Sequence, residues 1–157
     1  HPPMTHQDYM RQALALAQEA AAAGEVPVGC VIVDKDGQVI GRGRNRREEE
    51  KNPLAHAELD AIADACRRYG DWRLKGARLY VTLEPCPMCA GGIISARIPE
   101  IYYGAKDAGF GACGSILNLF EEDFRHHPKI VGHILEAECA ALLRDFFAQV
   151  REKEMQT

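Results

Sequence analysis

Two short stretches contain residues that could do chemistry together, HAE at 56–58 and PCPMC at 85–89. Cys86 and Cys89 are three residues apart, so on a helix their sulfur atoms would lie on one face. Pro87 suits the first position of a helix, which predicts Cys86 as its N-cap. The helix dipole favours the thiolate there, and the thiolate is the form that binds metals. The two cysteines are therefore a candidate ligand pair.

A C-x-x-C pair alone is also typical of a thioredoxin-like redox site or of two buried structural cysteines. His56 favours the metal interpretation, because a redox site needs no histidine and zinc accepts histidine and cysteine together. Three protein ligands would leave the fourth position of zinc open for water, as in catalytic sites. No convincing fourth ligand is found, and the other cysteines are predicted to be free buried thiols: Cys30, Cys66, Cys113 and Cys139.

Glu58 lies two residues from His56, and on a regular helix two such side chains point to opposite faces. They can act together only at the start of a helix, where the backbone is not yet helical. A carboxylate beside a zinc-bound water can take its proton and pass it to a substrate. A lone glutamate in a first helical turn could instead simply stabilise the helix dipole. With the cysteines, the pattern predicts His56, Cys86 and Cys89 as zinc ligands and Glu58 as the proton shuttle.

The elements that must position these residues follow from hydropathy patterns and turn residues. A capped helix is predicted at 5–23 and a buried strand at 26–34, followed by a hairpin turn at 36–37. The rest of the chain predicts a strand at 38–45, a charged loop at 46–52, a helix from 53 to about 70, a strand at 77–83, a short helix at 86–96, a strand at 100–105, a glycine-rich loop at 107–115, a weaker strand near 130–134 and a closing helix from about 136 into the 150s. This order predicts an α/β sandwich whose mixed sheet is covered on both faces.

Composition limits the class of protein. The 157 residues are 46% hydrophobic and 27% charged, which predicts one globular domain over 1–157. The net charge of -4 argues against a general nucleic-acid binder but not against a local basic patch. No apolar run approaches the roughly 18 residues of a membrane span, and no secretory signal is visible. A cytoplasmic location with reduced cysteines is therefore expected.

The H-x-E and P-C-x-x-C combination resembles the signature of zinc-dependent nucleoside and nucleobase deaminases. Longer segments resemble the bacterial tRNA adenosine deaminase family, from about Thr5 to Arg151: GEVPVGCVIV (24–33), NPLAHAELDAI (52–62), LYVTLEPCPMCAGGIISARI (79–98), YGAKDAGFGACGS (103–115) and ILEAECAALLRDFF (134–147). The resemblance implies a cytidine-deaminase-like three-layer α/β/α sandwich around a five-stranded sheet. It also implies one Zn²⁺ per subunit, a homodimer, and deamination of the wobble adenosine in a tRNA anticodon loop to inosine.

The same resemblance implies a set of substrate-binding residues: Asn45, Asp107, His126, Phe146, Phe147 and Arg151. Asn45 would contact the extruded base and its ribose, and Asp107 would lie near the ribose and backbone. The two phenylalanines would meet anticodon-loop nucleotides. Arg125 departs from the family pattern, because it stands where an asparagine is common, and this puts the detail of RNA contact in doubt.

Other interpretations remain open from the sequence. A guanine or cytosine deaminase acting on a free base would share the zinc motif, and a non-catalytic deaminase-like subunit would typically lack the glutamate. RNA affinity could come from a basic rim, which is opposed in part by Glu48–Glu50 and could instead be a solvated hairpin: Arg42, Arg44, Arg46, Arg47 and Lys106.

Overall fold

The fold is built outward from strand β1 (Gly29–Val33), in which all five residues are buried. The computed structural model, which describes residues 3–156, pairs β1 with antiparallel strands on both sides. β2 (Val39–Arg44) returns through the predicted turn, where Gly37 has a φ of +87°. The sheet order is β2-β1-β3-β4-β5, and its last two pairings are parallel: β3 (Arg78–Leu83), β4 (Glu100–Ala105) and β5 (Lys129–Val131). The predicted mixed five-stranded sheet is confirmed.

Alternation along the strands sends side chains into two cores. Cys30 and Ile32 of β1 face the layer made by helices α3 and α4. Val31 and Val33 face the layer made by α1 and α5. The four long helices have these bounds: α1 (His6–Ala22), α3 (Ala57–Tyr69), α4 (Pro87–Ala96) and α5 (Glu136–Gln156). The predicted three-layer α/β/α sandwich is therefore confirmed.

Helix α3 lies unusually close to the edge strand β2. A Cβ atom added at Gly43 would lie 2.3 Å from the Ala57 carbonyl oxygen, so only glycine permits this approach. The helix presents small buried residues to the sheet, Ala57, Ala61 and Ala65. This contact fixes the start of α3 against the end of β2.

The bounds differ from the predicted ones between β2 and α3. The helix predicted from 53 begins at Ala57, because 52–55 form a turn in which Ala55 N–H donates to the Asn52 carbonyl at 3.1 Å. The segment predicted as a charged loop contains a short helix, α2 (Arg47–Glu50). Its first N–H groups, on Glu48 and Glu49, donate to the buried carboxylate of Glu25 at 3.0 and 2.8 Å. The acceptor, Glu25, lies over twenty residues away in the sequence, so the sequence near the helix did not predict it.

All six cysteines are free thiols. Cys30, Cys113 and Cys139 are buried as predicted, whereas Cys66 is half-buried beside the Trp72 carbonyl. Among residues 3–156, no helix has the length and hydropathy needed to cross a membrane.

Candidate metal centre and substrate pocket

His56 is the residue immediately before α3, and its backbone is extended, with φ -91° and ψ 153°. This conformation takes its ring out of the helical register. The ring therefore faces the first turn of α4. The imidazole Nδ1 lies 3.7 Å from Cys86 Sγ and 3.6 Å from Cys89 Sγ.

Cys86 and Cys89 occupy the first turn of α4, with Cys86 as the N-cap and Pro87 in the first helical turn. With His56 they offer three ligand atoms that lie within 4.8 Å of one another, here called the metal cluster. Tetrahedral zinc, with Zn–S of about 2.3 Å and Zn–N of about 2.0 Å, would separate a sulfur from a nitrogen ligand by about 3.5 Å. The observed separations match, so the donor set fits zinc with one position left open.

Hydrogen bonding within the metal cluster stabilises the thiolate form of Cys86. The Cys89 thiol donates to Cys86 and lowers the pKa of Cys86 to about 4, with a further contribution from His56. The same hydrogen bond raises the pKa of Cys89. The hydrogen bond with Cys86 raises the pKa of His56. A metal ion binds two thiolates, so its binding would displace the Cys89 proton.

Glu58 lies beside the metal cluster and is only 4% exposed. Burial raises the pKa of this carboxyl group to about 7, since the charged form loses its water. A carboxyl group with a pKa near neutrality can both accept and donate a proton, which is what a proton shuttle requires.

A pocket of about 620 Å³ opens in front of Glu58 and the metal cluster. Besides the two helix starts, its sides come from the segment before β1, the segment after β2, the end of β3, the loop after β4 and the helix α5. The lining residues are Val26, Val28, Asn45, Arg47, His56, Glu58, Leu83, Glu84, Cys86, Pro87, Met88, Lys106, Asp107, Ala108, Phe110, Leu143 and Phe147. This volume is in the range of pockets that take small organic ligands.

Asn45 and Asp107, both predicted to bind substrate, line the pocket and are also tied into the fold. The Asn45 Oδ1 accepts the Ala57 N–H at 3.0 Å, and its Nδ2 donates to the Val26 carbonyl at 3.1 Å. Asn45 therefore helps to fix the start of α3. The Asp107 Oδ1 accepts N–H groups from Gly109 and Phe110 at 3.0 and 3.1 Å.

The structure brings only part of the remaining predicted set to this pocket. Phe147 lines it, whereas the lining, taken over the described residues, includes neither Phe146 nor His126 nor Arg151. Phe146 packs edge-on against Phe147 with ring centroids 5.5 Å apart. His126 Nε2 donates to the Ile98 carbonyl at 2.7 Å, and Arg151 lies exposed on α5.

The predicted basic rim is reduced to two residues at the pocket. Arg47 and Lys106 line it. Arg44 instead pairs with Glu49 at 2.8 Å, with its side chain only 13% exposed. Arg46 pairs with Glu49 and with Asp60. The acidic residues of α2 thus neutralise the middle of the arginine run.

Sequence reasoning missed one buried acid at the pocket, Glu84. It directly precedes Pro85 and Cys86 in the PCPMC region. A charged residue at the end of a buried strand was the available signal, because such residues are rarely buried unless paired.

A sandwich of this topology, with three side chains that fit a zinc ion and an acid beside an open pocket, favours a metal-dependent hydrolytic enzyme. Residues 3–105 match the family described as the cytidine and deoxycytidylate deaminase zinc-binding region. The chain belongs to this deaminase family, which confirms zinc as the predicted cofactor.

Individual relatives agree with the family match. The tRNA-specific adenosine deaminase of Bacillus subtilis (strain 168) is 45% identical over 147 residues, which are 93% of this chain and 91% of the relative. A solved structure from "Biochemical and Structural Studies of A-to-I Editing by tRNA:A34 Deaminases at the Wobble Position of Transfer RNA" superposes with a TM-score of 0.82 at 46% identity. It covers 86% of this chain and 98% of its own. Guanine deaminase from Bacillus subtilis gives 0.63 at 40% identity, covering 69% of this chain and 72% of its own.

Proposed function

We propose that this chain converts the wobble adenosine of a tRNA anticodon loop to inosine. One observation carries the proposal: a buried carboxyl group, Glu58, lies beside three zinc-type ligands in an open pocket. The choice of substrate is supported by relatives named as tRNA-specific adenosine deaminases, which match along nearly the whole chain.

His56, Cys86 and Cys89 would hold one Zn²⁺. Zinc with an open position supplies an activated water by lowering the pKa of that water towards 7. Glu58 would take a proton from the attacking water and deliver it to N1 of adenine as the C6–O bond forms. It would then carry the proton of the new C6 hydroxyl to the exocyclic amine, so that the C6 carbonyl forms as the C6–N bond breaks and ammonia leaves. A positioned acid–base group of this kind contributes about 10²–10⁴-fold to the rate.

The pocket sides would recognise the extruded nucleotide. An adenosine in a flexible anticodon loop can leave its stack at a cost of a few kcal/mol, which is least for an unpaired base. Asn45 and Asp107 offer polar groups near the metal cluster, and Phe147 offers a ring for a neighbouring base. Arg47 and Lys106 offer positive charge for phosphates. His126, Phe146 and Arg151 would contact more distant parts of the RNA.

The functional unit would be a cytoplasmic homodimer. Support comes from the family resemblance and from large apolar side chains that are exposed in the single chain: Leu54, Phe110, Ile116, Leu117 and Phe124. Sedimentation velocity at micromolar concentration tests this part directly. A single species with twice the 17.4 kDa chain mass is expected, and a species of the chain mass would contradict it.

The reaction is tested by inosine formation on an anticodon stem-loop RNA that carries a wobble adenosine, with free adenosine, cytosine and guanine in parallel. Inosine in the stem-loop, with no turnover of the free compounds, is the expected result. A second candidate function is guanine deamination, which the likeness to the Bacillus subtilis guanine deaminase structure favours. Turnover of free guanine without inosine in the RNA would select this alternative and overturn the proposal.

A further inference from the structure

Glu84 is a buried carboxylate with no part in the proton transfers assigned to Glu58. It follows β3, directly before Pro85 and the metal-cluster residue Cys86, and it is 2% exposed. A buried charge persists only when hydrogen bonds replace its lost water. The partners of Glu84 therefore indicate what it is for.

All of its side-chain partners belong to the loop 107–115. Oε1 accepts the Asp107 N–H at 3.1 Å and a short hydrogen bond from the Ser115 hydroxyl. Oε2 accepts the Cys113 N–H at 2.9 Å and the Ser115 N–H at 3.1 Å. One carboxylate thus binds both ends of the loop and a point within it, which closes the loop around a single residue.

The loop is packed tightly on this carboxylate. A Cβ atom added at Gly111 would lie 2.3 Å from Glu84 Oε2, so a larger residue would push the loop away. The Ala112 N–H also donates to the Pro85 carbonyl at 2.8 Å. The loop and the cysteine Cys86 are therefore attached to the same two residues, Glu84 and Pro85.

The position of this loop matters because it forms one side of the pocket. Asp107, Ala108 and Phe110 are lining residues, and Phe110 is 70% exposed. The exposed residues of this loop would sample several positions without strong anchors. A fixed position relative to the metal cluster would place the substrate base within reach of Glu58.

We propose that Glu84 is a positioning residue that sets the 107–115 loop against the metal cluster and thereby determines substrate binding. The inference deepens the proposed function, on which its kinetic arm rests. Glu84 touches no reacting atom in this account. It acts through the loop, and the zinc ligands on α3 and α4 keep their own supports when it is changed.

The test is Glu84→Gln, which keeps the size of the side chain but replaces one acceptor oxygen by an NH₂ group. In either orientation of the amide, at least one loop N–H then faces another N–H and loses its acceptor. We expect full zinc content, faster amide hydrogen exchange in 107–115, and a KM for the stem-loop RNA raised about tenfold. The kcat should stay within about threefold of wild type, because Glu58 and the metal cluster are unchanged.

Thr82→Val is the matched control, because Thr82 Oγ1 accepts the buried Gly29 N–H at 3.2 Å, a hydrogen bond to β1 and not to the loop. It should lower the melting temperature, because it removes this buried hydrogen bond, without changing KM or loop exchange. Ser115→Ala keeps the carboxylate and removes one donor, so a smaller KM rise is expected even if Glu84→Gln folds poorly.

Three results would overturn the inference. They are unchanged KM and loop exchange in Glu84→Gln, loss of zinc from that variant, and equal effects in Thr82→Val. If wild type forms no inosine, the proposed function fails, while loop exchange and zinc content still decide the role of Glu84.

Discussion

The metal cluster and the 107–115 loop meet at one pocket but are held in place by different means. His56, Cys86 and Cys89 lie at two helix starts. Cys86 and Pro87 begin α4 locally, whereas Asn45 and Gly43 help to fix the start of α3 beside His56. The loop takes its position from a carboxylate on another element, Glu84. The start of α4, with its two cysteines, is therefore encoded locally, whereas the start of α3 and the position of the loop depend on contacts between residues that are distant in sequence.

The largest expected effect comes from breaking the metal cluster. Cys89→Ala should remove bound zinc and leave no detectable inosine formation, because two ligands hold the ion poorly and no water is activated. Zinc content by atomic emission and inosine by chromatography measure both effects on one sample. Cys66→Ala is the control, because Cys66 is a free thiol outside the cluster and should retain zinc and activity.

Glu58→Gln separates proton transfer from metal binding. We expect wild-type zinc content and a kcat lower by about 10²–10⁴-fold, since the amide cannot carry protons between water and base. Single-turnover inosine formation with saturating enzyme measures this step. Loss of folding or of zinc in this variant would instead indicate a structural role for Glu58.

The features that the sequence predicted correctly are those set by local contacts, and the features that it missed depend on distant contacts. The zinc ligands and the cap at Cys86 could be predicted, because proline and residue spacing determine them within a few positions. The helix predicted from 53 started too early to give the extended backbone of His56. Helix α2 and the position of the 107–115 loop were not predicted. The carboxylates that accept their N–H groups, Glu25 and Glu84, are distant from them in the sequence. Their low exposure is a property of the packed fold, which a single strand or loop does not reveal.

The substrate-binding residues implied by the family resemblance were predicted less accurately, because their positions also depend on contacts between distant residues. The adjacent pair Phe146 and Phe147 looks equivalent in sequence, yet only Phe147 lines the pocket within the described residues. On a helix, neighbouring side chains point about 100° apart. The Phe147 ring therefore faces the pocket, and the Phe146 ring packs against the Phe147 ring. Which of the two rings lines the pocket depends on how α5 packs on the sheet.

Phe147→Ala sharpens this distinction. We expect a KM for the stem-loop RNA raised by about 5- to 150-fold, because base stacking on an aromatic ring is worth about 1–3 kcal/mol. The kcat should change little. Phe146→Ala, the matched control, should raise KM less, since its effect passes through the edge-on contact with Phe147. Equal increases would mean that both rings contact RNA directly.

The smallest effect concerns charge at the pocket. Arg47→Ala should reduce the salt dependence of RNA binding by about 0.7 in the slope of log K against log salt, as expected for one single-strand phosphate contact. Arg42→Ala should leave that slope unchanged, because Arg42 does not line the pocket formed by residues 3–156. Fluorescence anisotropy at several salt concentrations measures both. Equal slopes for the two variants would remove Arg47 from the RNA interface.

The division between chemistry and recognition is tested most directly by the affinity of Glu58→Gln for the anticodon stem-loop. If Glu58 acts only in proton transfer, this variant should bind the RNA with a Kd within about twofold of wild type while forming almost no inosine. A Kd weakened in proportion to the lost turnover would contradict the account, because it would make the buried acid part of the surface that holds the substrate.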